Sequence, residues 1–293
     1  METGTPDGDA AMQATAEAVA PEWRARIDTA LEAIAHEEDV TLLLAVESGS
    51  RAWGFHSPDS DYDVRFIYAR PVDWHLSIEP GRDMIERPIS DLLDLSGWDL
   101  RKTLGLMLRS NAVALEWLQS PIRYAAAPGF AEDLSRFAAR VLQRRPITWH
   151  YLCLTKRQRE GLDDEAGRVR LKRYFYTIRP ALALRWLRLN PEDRMLPMCM
   201  AALVAGTNLS TEETAALDRL TEAKRAAVEK ASMDETPAVL DALIAHEIAE
   251  AERYVASAEP RRDTRDIAAA DALHRDWTHR VDHGRMWGPR HER

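Results

Sequence analysis

The spacing of apolar residues changes character once along the chain, and that change limits the folds open to it. Before Gly97 the apolar runs are short and of strand length. Residues 40–46, 64–68 (ended by Pro71), 84–89 and 92–95 are four such runs. One earlier segment repeats at helical spacing instead, through Trp23, Ile27, Leu31 and Ile34, with Pro21 suited to its first turn. After Gly97 the periodic segments are helical. Leu100, Leu104, Met107 and Leu108 share a face; helices are expected over 112–119, 131–142, 147–160, 168–189, 210–231 and 237–257. Ser210 with Glu213 reads as a capping box, and Thr236-Pro237 as a helix start. Strands gathered at one end and helices at the other predict an α+β fold. A small mixed-sheet domain is expected over 21–122 and an all-helical domain over 123–258, with the change near 121–128. Residues 1–20 read as a loose tail and 259–293 as a charged one.

Composition narrows the class of protein. With 45% hydrophobic and 30% charged residues, the chain is ordinary for a globular protein. No apolar run approaches bilayer length, and Glu2, Asp7 and Asp9 stand where a signal sequence would be basic. Cys153 and Cys199 form no metal or redox spacing. A cytoplasmic protein without a membrane partner is expected. The net charge of −9 argues against non-specific nucleic-acid binding over the whole surface, so DNA is not an expected partner. A local basic groove, or a small cationic pocket for a nucleotide, stays open. His274, His279, His283 and His291 lack ligand spacing and are read as a solvated helix and a frayed end.

The chemistry is concentrated between Glu47 and Arg65. An apolar strand runs into Gly49-Ser50, a polar loop follows, and Asp61 and Asp63 open the next strand. Glycine allows a ligand close to the backbone. The turn's free N–H groups face an incoming anion, and Ser50 adds a hydroxyl. Side chains alternate along a strand, so Asp61 and Asp63 share a face, about 6.6 Å apart. Two carboxylates at that spacing repel unless a cation lies between them. Mg²⁺, with Mn²⁺ as an alternative, is commonly held by one or two carboxylates plus phosphate oxygens and water. A phosphate cradle beside a carboxylate pair is what metal-assisted phosphoryl transfer requires. Each part alone is common; their order on strand, turn and strand is what makes the pattern specific.

These residues resemble the nucleotidyltransferase signature of the DNA polymerase beta-like superfamily. The match is closer still to a bacterial branch of predicted nucleotidyltransferases, some found beside RNA ligases. It rests on Glu47 to Gly54, Ser60 to Tyr68, Gly97 to Lys102, Ser110-Asn111, Glu116-Trp117-Leu118, Lys172 to Tyr176 and Arg179-Pro180, and covers about 40–255. The resemblance implies transfer of a nucleoside monophosphate from a nucleoside triphosphate to an acceptor hydroxyl. Gly49 and Ser50 would hold the β- and γ-phosphates, and Asp61 and Asp63 two Mg²⁺ ions. A third carboxylate from a neighbouring strand is implied, and Leu93-Asp94-Leu95 fits that form, with Asp91 and Asp99 as rivals. Asp99 is placed equally well to cap the next helix. The acceptor is an RNA end, a protein hydroxyl (as in AMPylation) or a small molecule. The alternative is a non-catalytic nucleotide-binding or partner subunit of an RNA-repair complex.

Lys172, Tyr176 and Arg179 fall at i, i+4 and i+7, one cationic and aromatic helix face, and are candidate nucleotide contacts together with Arg51. A solvated basic face is the competing reading. Pro180 implies a kink or a break. Arg65 is positioned to pair an aspartate. His56 is read as loop packing, and Trp53, Trp98 and Trp117 as core.

Overall fold

The structure, a computed structural model, describes residues 19–79, 81–162, 168–226, 231–259 and 265–284. The tail expected over 1–20 lies outside these residues except for Val19 and Ala20. The fold is α+β, and the described chain forms two compact units. A sheet unit takes residues up to Gly49, Asp61–Leu142 and the last described helix; a helical unit takes Ser50–Ser60 and the segment from Gln143 onward to 259.

The sheet unit begins with α1 (Pro21–Glu37) and β1 (Thr41–Glu47). The short helix α2 (Gly49–Trp53) carries the chain from one unit into the other. Then come β2 (Tyr62–Ala69), α3 (Val72–His75), β3 (Met84–Glu86), β4 (Leu93–Asp99), α4 (Leu100–Leu108), α5 (Ala112–Leu118), β5 (Arg123–Ala126) and α6 (Phe130–Val141). The five strands lie in the order β3-β4-β2-β1-β5. β2 and β4 run parallel, and the other neighbours are antiparallel.

Burial explains the layers. Ile27, Leu31 and Ile34 recur at helical spacing, so α1 buries one stripe. That stripe covers Leu42, Ala45, Val64, Phe66, Leu93 and Leu95, the inner positions of three strands. Each of these side chains larger than Ala45 contributes about 1.5–3 kcal/mol on burial. On β4 alternate residues are buried from Leu93 to Asp99. The strand continues through Gly97, past the end expected from its sequence, because Gly97 pairs in register with Phe66. A Cβ at Gly97 would stand 2.1 Å from the Phe66 ring, so only glycine lets the ring lie across the strand.

The helical unit contains α7 (Arg144–Arg159), β6 (Val169–Arg170), α8 (Leu171–Leu189), α9 (Met200–Ala205), α10 (Thr211–Ala226), β7 (Ser232–Met233) and α11 (Ala238–Ser257). β6 and β7 form a two-residue antiparallel pair that the sequence pattern does not announce. α10 starts with the expected capping box: Ser210 N–H donates to Glu213 at 2.7 Å, and Glu213 N–H donates to the Ser210 hydroxyl at 3.1 Å. α8 runs through Pro180 as one helix of 19 residues rather than breaking there. Proline costs a helix one hydrogen bond; here the surrounding turns, buried on most sides, hold the helix together.

The last described helix, α12 (Arg265–Asp282), belongs to the sheet unit. Trp277 is fully buried, donates its indole N–H to Asp133 at 3.0 Å and meets the Phe130 ring edge-on. The segment read as a charged tail is therefore docked over 265–282. The units likewise divide after Leu142, not near 121–128, because β5 extends the sheet beside β1 and α6 packs onto the same unit. No helix among the described residues is long and apolar enough to cross a membrane.

Candidate active site

β1 ends at Glu47, but its ladder with β2 continues one step further, since Ser48 N–H donates to Asp63 O at 2.8 Å. The next residue, Gly49, turns with φ +62°, in the left-handed region. A Cβ there would lie 2.1 Å from Asp63 Oδ2. The Asp63 carboxylate thus rests directly against the backbone of the Gly-Ser turn. Glycine is required twice over, by its dihedral and by this contact.

Asp63 pairs in register with Asp94 on the parallel neighbour β4. Adjacent strands lie about 4.8 Å apart. Arg65, two residues beyond Asp63 on the same face, spans the pair. Its Nη2 donates to Asp63 Oδ1 at 3.1 Å and to Asp94 Oδ2 at 2.7 Å, and its Nη1 to Asp94 O at 3.1 Å. Both carboxylates keep more than a quarter of their side-chain surface exposed. Two anions so close need a cation, and in this structure the guanidinium supplies the charge.

The other candidate carboxylates are not part of this register pair. Asp61 is exposed and precedes the first residue of β2. Asp91 turns outward at φ +52° and pairs with Arg26 at 2.9 Å. Asp99 is fully buried and caps α4, accepting from Arg101 N–H at 2.8 Å. Burial raises the Asp99 pKa, opposed by the Arg101 amide. Among the described residues no three His, Cys, Asp or Glu side chains gather as a metal cage. The oxygen pair Asp63 and Asp94 still fits Mg²⁺, whose shell is ordinarily completed by phosphate and water.

Sequence reasoning assigned no role to Glu47, yet it is fully buried and fixes this face. Its Oε1 accepts from Asp63 N–H at 2.8 Å, its Oε2 from the Tyr124 hydroxyl, and its backbone oxygen from Ser120 Oγ at 2.7 Å. The available signal was an acid closing an otherwise apolar strand, a position that a buried charge holds only with partners.

In the helical unit the loop from Ser50 to Ser60 is closed by its own side chains. Ser50 is buried, and Arg51, 4% exposed, donates to Ser60 O at 2.7 Å. The Ser57 and Ser60 hydroxyls meet at 3.0 Å. Trp53 stands between the Tyr176 ring, edge-on at 5.0 Å, and the Arg179 guanidinium, 4.3 Å from the indole centroid. Lys172 Nζ lies 5.8 Å from the Tyr176 ring centroid. The helix face expected to be cationic is therefore covered at one end: Arg179 is 2% exposed and donates to Met198 O at 3.1 Å. Helical spacing placed these residues on one face but carried no information about what packs over it.

Two further cations approach the loop. Lys224, almost fully buried, donates to Ser57 Oγ at 3.2 Å, and Arg225 donates to Gly54 O at 3.4 Å. His56 registers the resulting positive potential. Burial, then Arg51, Arg225 and Lys224, hold its pKa down to about 4, so the ring is neutral at pH 7. Lys224 and Arg225 lie more than 160 residues beyond the loop, and no local motif marks them.

A mixed sheet with a Gly-Ser turn beside in-register strand aspartates, followed by a helical region, defines an α+β protein of the nucleotidyltransferase-like class. The chain belongs to the RNA repair pathway DNA polymerase beta family, whose profile matches residues 23–276. It is also similar to the uncharacterised protein YcgL of Bacillus subtilis (strain 168). The two are 44% identical over 199 residues, covering 66% of this chain and 75% of that protein.

Proposed function

We propose that this chain moves a nucleoside monophosphate from a nucleoside triphosphate to an acceptor hydroxyl, with pyrophosphate as the leaving group and an RNA end as the acceptor. The observation that carries the reading is the Asp63–Asp94 pair, in register across parallel strands with one carboxylate lying on Gly49. Asp63 and Asp94 would hold Mg²⁺, and Asp61 would join them once substrate is bound. When bound, the metal would supply a lowered pKa for the acceptor hydroxyl and charge neutralisation for the triphosphate. The protein's part is positioning. Gly49 and Ser50 admit the β- and γ-phosphates against the backbone. Arg51, Lys224 and Arg225 keep the loop electropositive. Glu47 sets the backbone that carries Asp63. Arg65 compensates the two carboxylates, and its guanidinium would be available to phosphate where Mg²⁺ took over that charge. Lys172 is a further candidate cation; Tyr176 and Arg179 serve by fixing Trp53.

The absence of a three-carboxylate cage among the described residues favours a second reading, a nucleotide-binding partner subunit without transfer. One experiment separates the two. The protein is incubated with each α-labelled nucleoside triphosphate, Mg²⁺ and total RNA or lysate, beside Asp61→Ala, Asp63→Ala and Asp94→Ala. Label in RNA that disappears in the variants supports transfer to an RNA end; label in protein redirects the reading to protein nucleotidylation. Nucleotide-dependent thermal stabilisation without any label transfer supports the partner subunit.

A further inference from the structure

One edge of the sheet is open, and its flanks are apolar. β3 closes the strand order β3-β4-β2-β1-β5 on one side, so among the described residues no strand lies beyond it. Its alternate backbone groups are committed to β4: Asp99 N–H donates to Asp83 O at 2.9 Å and Arg87 N–H to Leu95 O at 3.0 Å, with Ile85 opposite Gly97 between them. In an antiparallel ladder the intervening residues turn their N–H and C=O groups the other way. Those residues are Met84, half-buried, and Glu86, exposed. Such an edge is a template for a further strand. The surface at its two ends is apolar: Leu76 is 74%, Ile78 100% and Ile89 69% exposed, three of the six large apolar side chains that stand exposed among the described residues. Leu76 and Ile78 follow the end of β2, which pairs with the end of β4, whereas Ile89 stands by the start of β4, beside the bridge between Ser90 and Leu93.

What fits this edge is an antiparallel strand with apolar groups beyond both ends and the charges in reverse order, and β3 itself has them. Two copies paired about Ile85 would set Met84 opposite Glu86 of the second copy, each donating and accepting once. Ile85, 4% exposed and part of the inner core, would meet its own counterpart as a close, non-hydrogen-bonded neighbour. Asp83 would lie opposite Arg87 of the second copy, an opposite-charge pair of the kind that supports cross-strand pairing. Each charge keeps its own partner, Lys102 for Asp83 and Glu37 and Glu38 for Arg87, so the contact joins two existing ion pairs. The same operation brings Ile89 of each copy to the end where Leu76 and Ile78 of the other stand, and covers all three. A patch that matches itself in this way is what an isologous two-fold interface requires.

We infer that β3 is a dimerisation edge, pairing antiparallel with β3 of a second copy of this chain to make one sheet across two molecules. Glu86 pairs with Ser96, two residues beyond Asp94 on β4, so Glu86 and Asp94 share a face. Residues opposite one another across an antiparallel pair also share a face, so the two Asp63–Asp94 pairs of the dimer open on the same side. The pairing itself does not rest on the transferase reading. The test is the mass of the full chain by analytical ultracentrifugation at rising concentration. The parent is expected to move from 33.2 kDa to twice that mass and no further. Glu86→Pro removes an outward N–H at an edge position that tolerates proline, and is expected to abolish the dimer while the circular dichroism spectrum stays unchanged. Ile78→Lys and Ile89→Asp, both at exposed positions, are each expected to lose the dimer. Mixed together they are expected to recover it, because the introduced charges then face each other with opposite sign across the antiparallel register. A parent that stays at 33.2 kDa at every concentration, growth beyond the dimer, a dimer that survives both Glu86→Pro and Ile78→Lys, or no recovery on mixing overturns the inference.

Discussion

Replacing Gly49 with alanine tests whether the Gly-Ser turn and Asp63 act as one device. The substitution adds one methyl group at φ +62°. A left-handed conformation costs an L-residue roughly 1–2 kcal/mol. The new Cβ would begin 2.1 Å from Asp63 Oδ2, whereas ordinary contact starts at 3.4 Å, so the carboxylate has to move by more than 1 Å. It cannot rotate freely, because Asp63 Oδ1 is held by Arg65 and its backbone N–H by Glu47. A strain of 1–2 kcal/mol lowers the melting temperature of a unit this size by roughly 2–8 °C. Misplacing a catalytic group by about 1 Å costs on the order of 100-fold in rate. Gly49→Ala is therefore expected to fold, melt a few degrees early, and lose about two orders of magnitude of nucleotide transfer. Mg²⁺-dependent stabilisation by a non-hydrolysable triphosphate should weaken in parallel. Differential scanning fluorimetry and label transfer are measured on the same preparation. Transfer within threefold of the parent, in a protein that Asp63→Ala inactivates, would refute the claim that this contact sets the carboxylate.

Other substitutions probe the surroundings. Glu47→Ala strands the Asp63 N–H and the Tyr124 hydroxyl, at about 1–3 kcal/mol for each buried group; a urea midpoint unchanged from the parent would contradict this, and Glu47→Gln should recover much of the loss. Arg65→Met leaves two carboxylates opposed, so the metal-free melting temperature should drop and the gain on adding Mg²⁺ should exceed that of the parent; an unaltered Mg²⁺ response counts against Asp63 and Asp94 as ligands. Gly97→Ala drives a methyl into the fully buried Phe66 ring and should destabilise the sheet unit by about 3 kcal/mol, read by chemical denaturation. Acid should weaken the docking of α12. His274 and His75 stack edge-on at 4.8 Å, and burial, the largest cause for each, depresses both pKa values, that of His274 to about 4. A histidine with a depressed folded pKa takes up its proton more readily when unfolded, so stability is lost as pH falls from about 6.5 towards 4. After discount for partial exposure, His274 accounts for about 1–2 kcal/mol. The raised pKa of buried Asp99 acts in the opposite sense, its contribution lost as pH rises from the ordinary carboxyl range. Melting temperatures between pH 7.5 and 4.5 should fall more steeply for the parent than for His274→Gln.

Local sequence was enough for the fold class, most of the longer helices and the Gly49, Asp61, Asp63 motif. All of these are carried by local patterns: apolar periodicity, caps, and the order of a turn and an alternating acidic pair. Tertiary structure decided what depends on partners distant in sequence. The strand register brought Asp94, and not Asp91 or Asp99, beside Asp63, because parallel pairing is set across 31 residues and carries no local mark. Burial turned Arg179 from an expected surface cation into a partner of Trp53, and it drew Lys224, with exposed Arg225 beside it, to a loop more than 160 residues away. It also converted a charged C-terminal stretch into α12, since Trp277 finds its pocket and its Asp133 acceptor on a helix 144 positions earlier. A helix face or a strand edge can be read from spacing alone, but which surface covers it follows from long-range packing that local sequence does not encode.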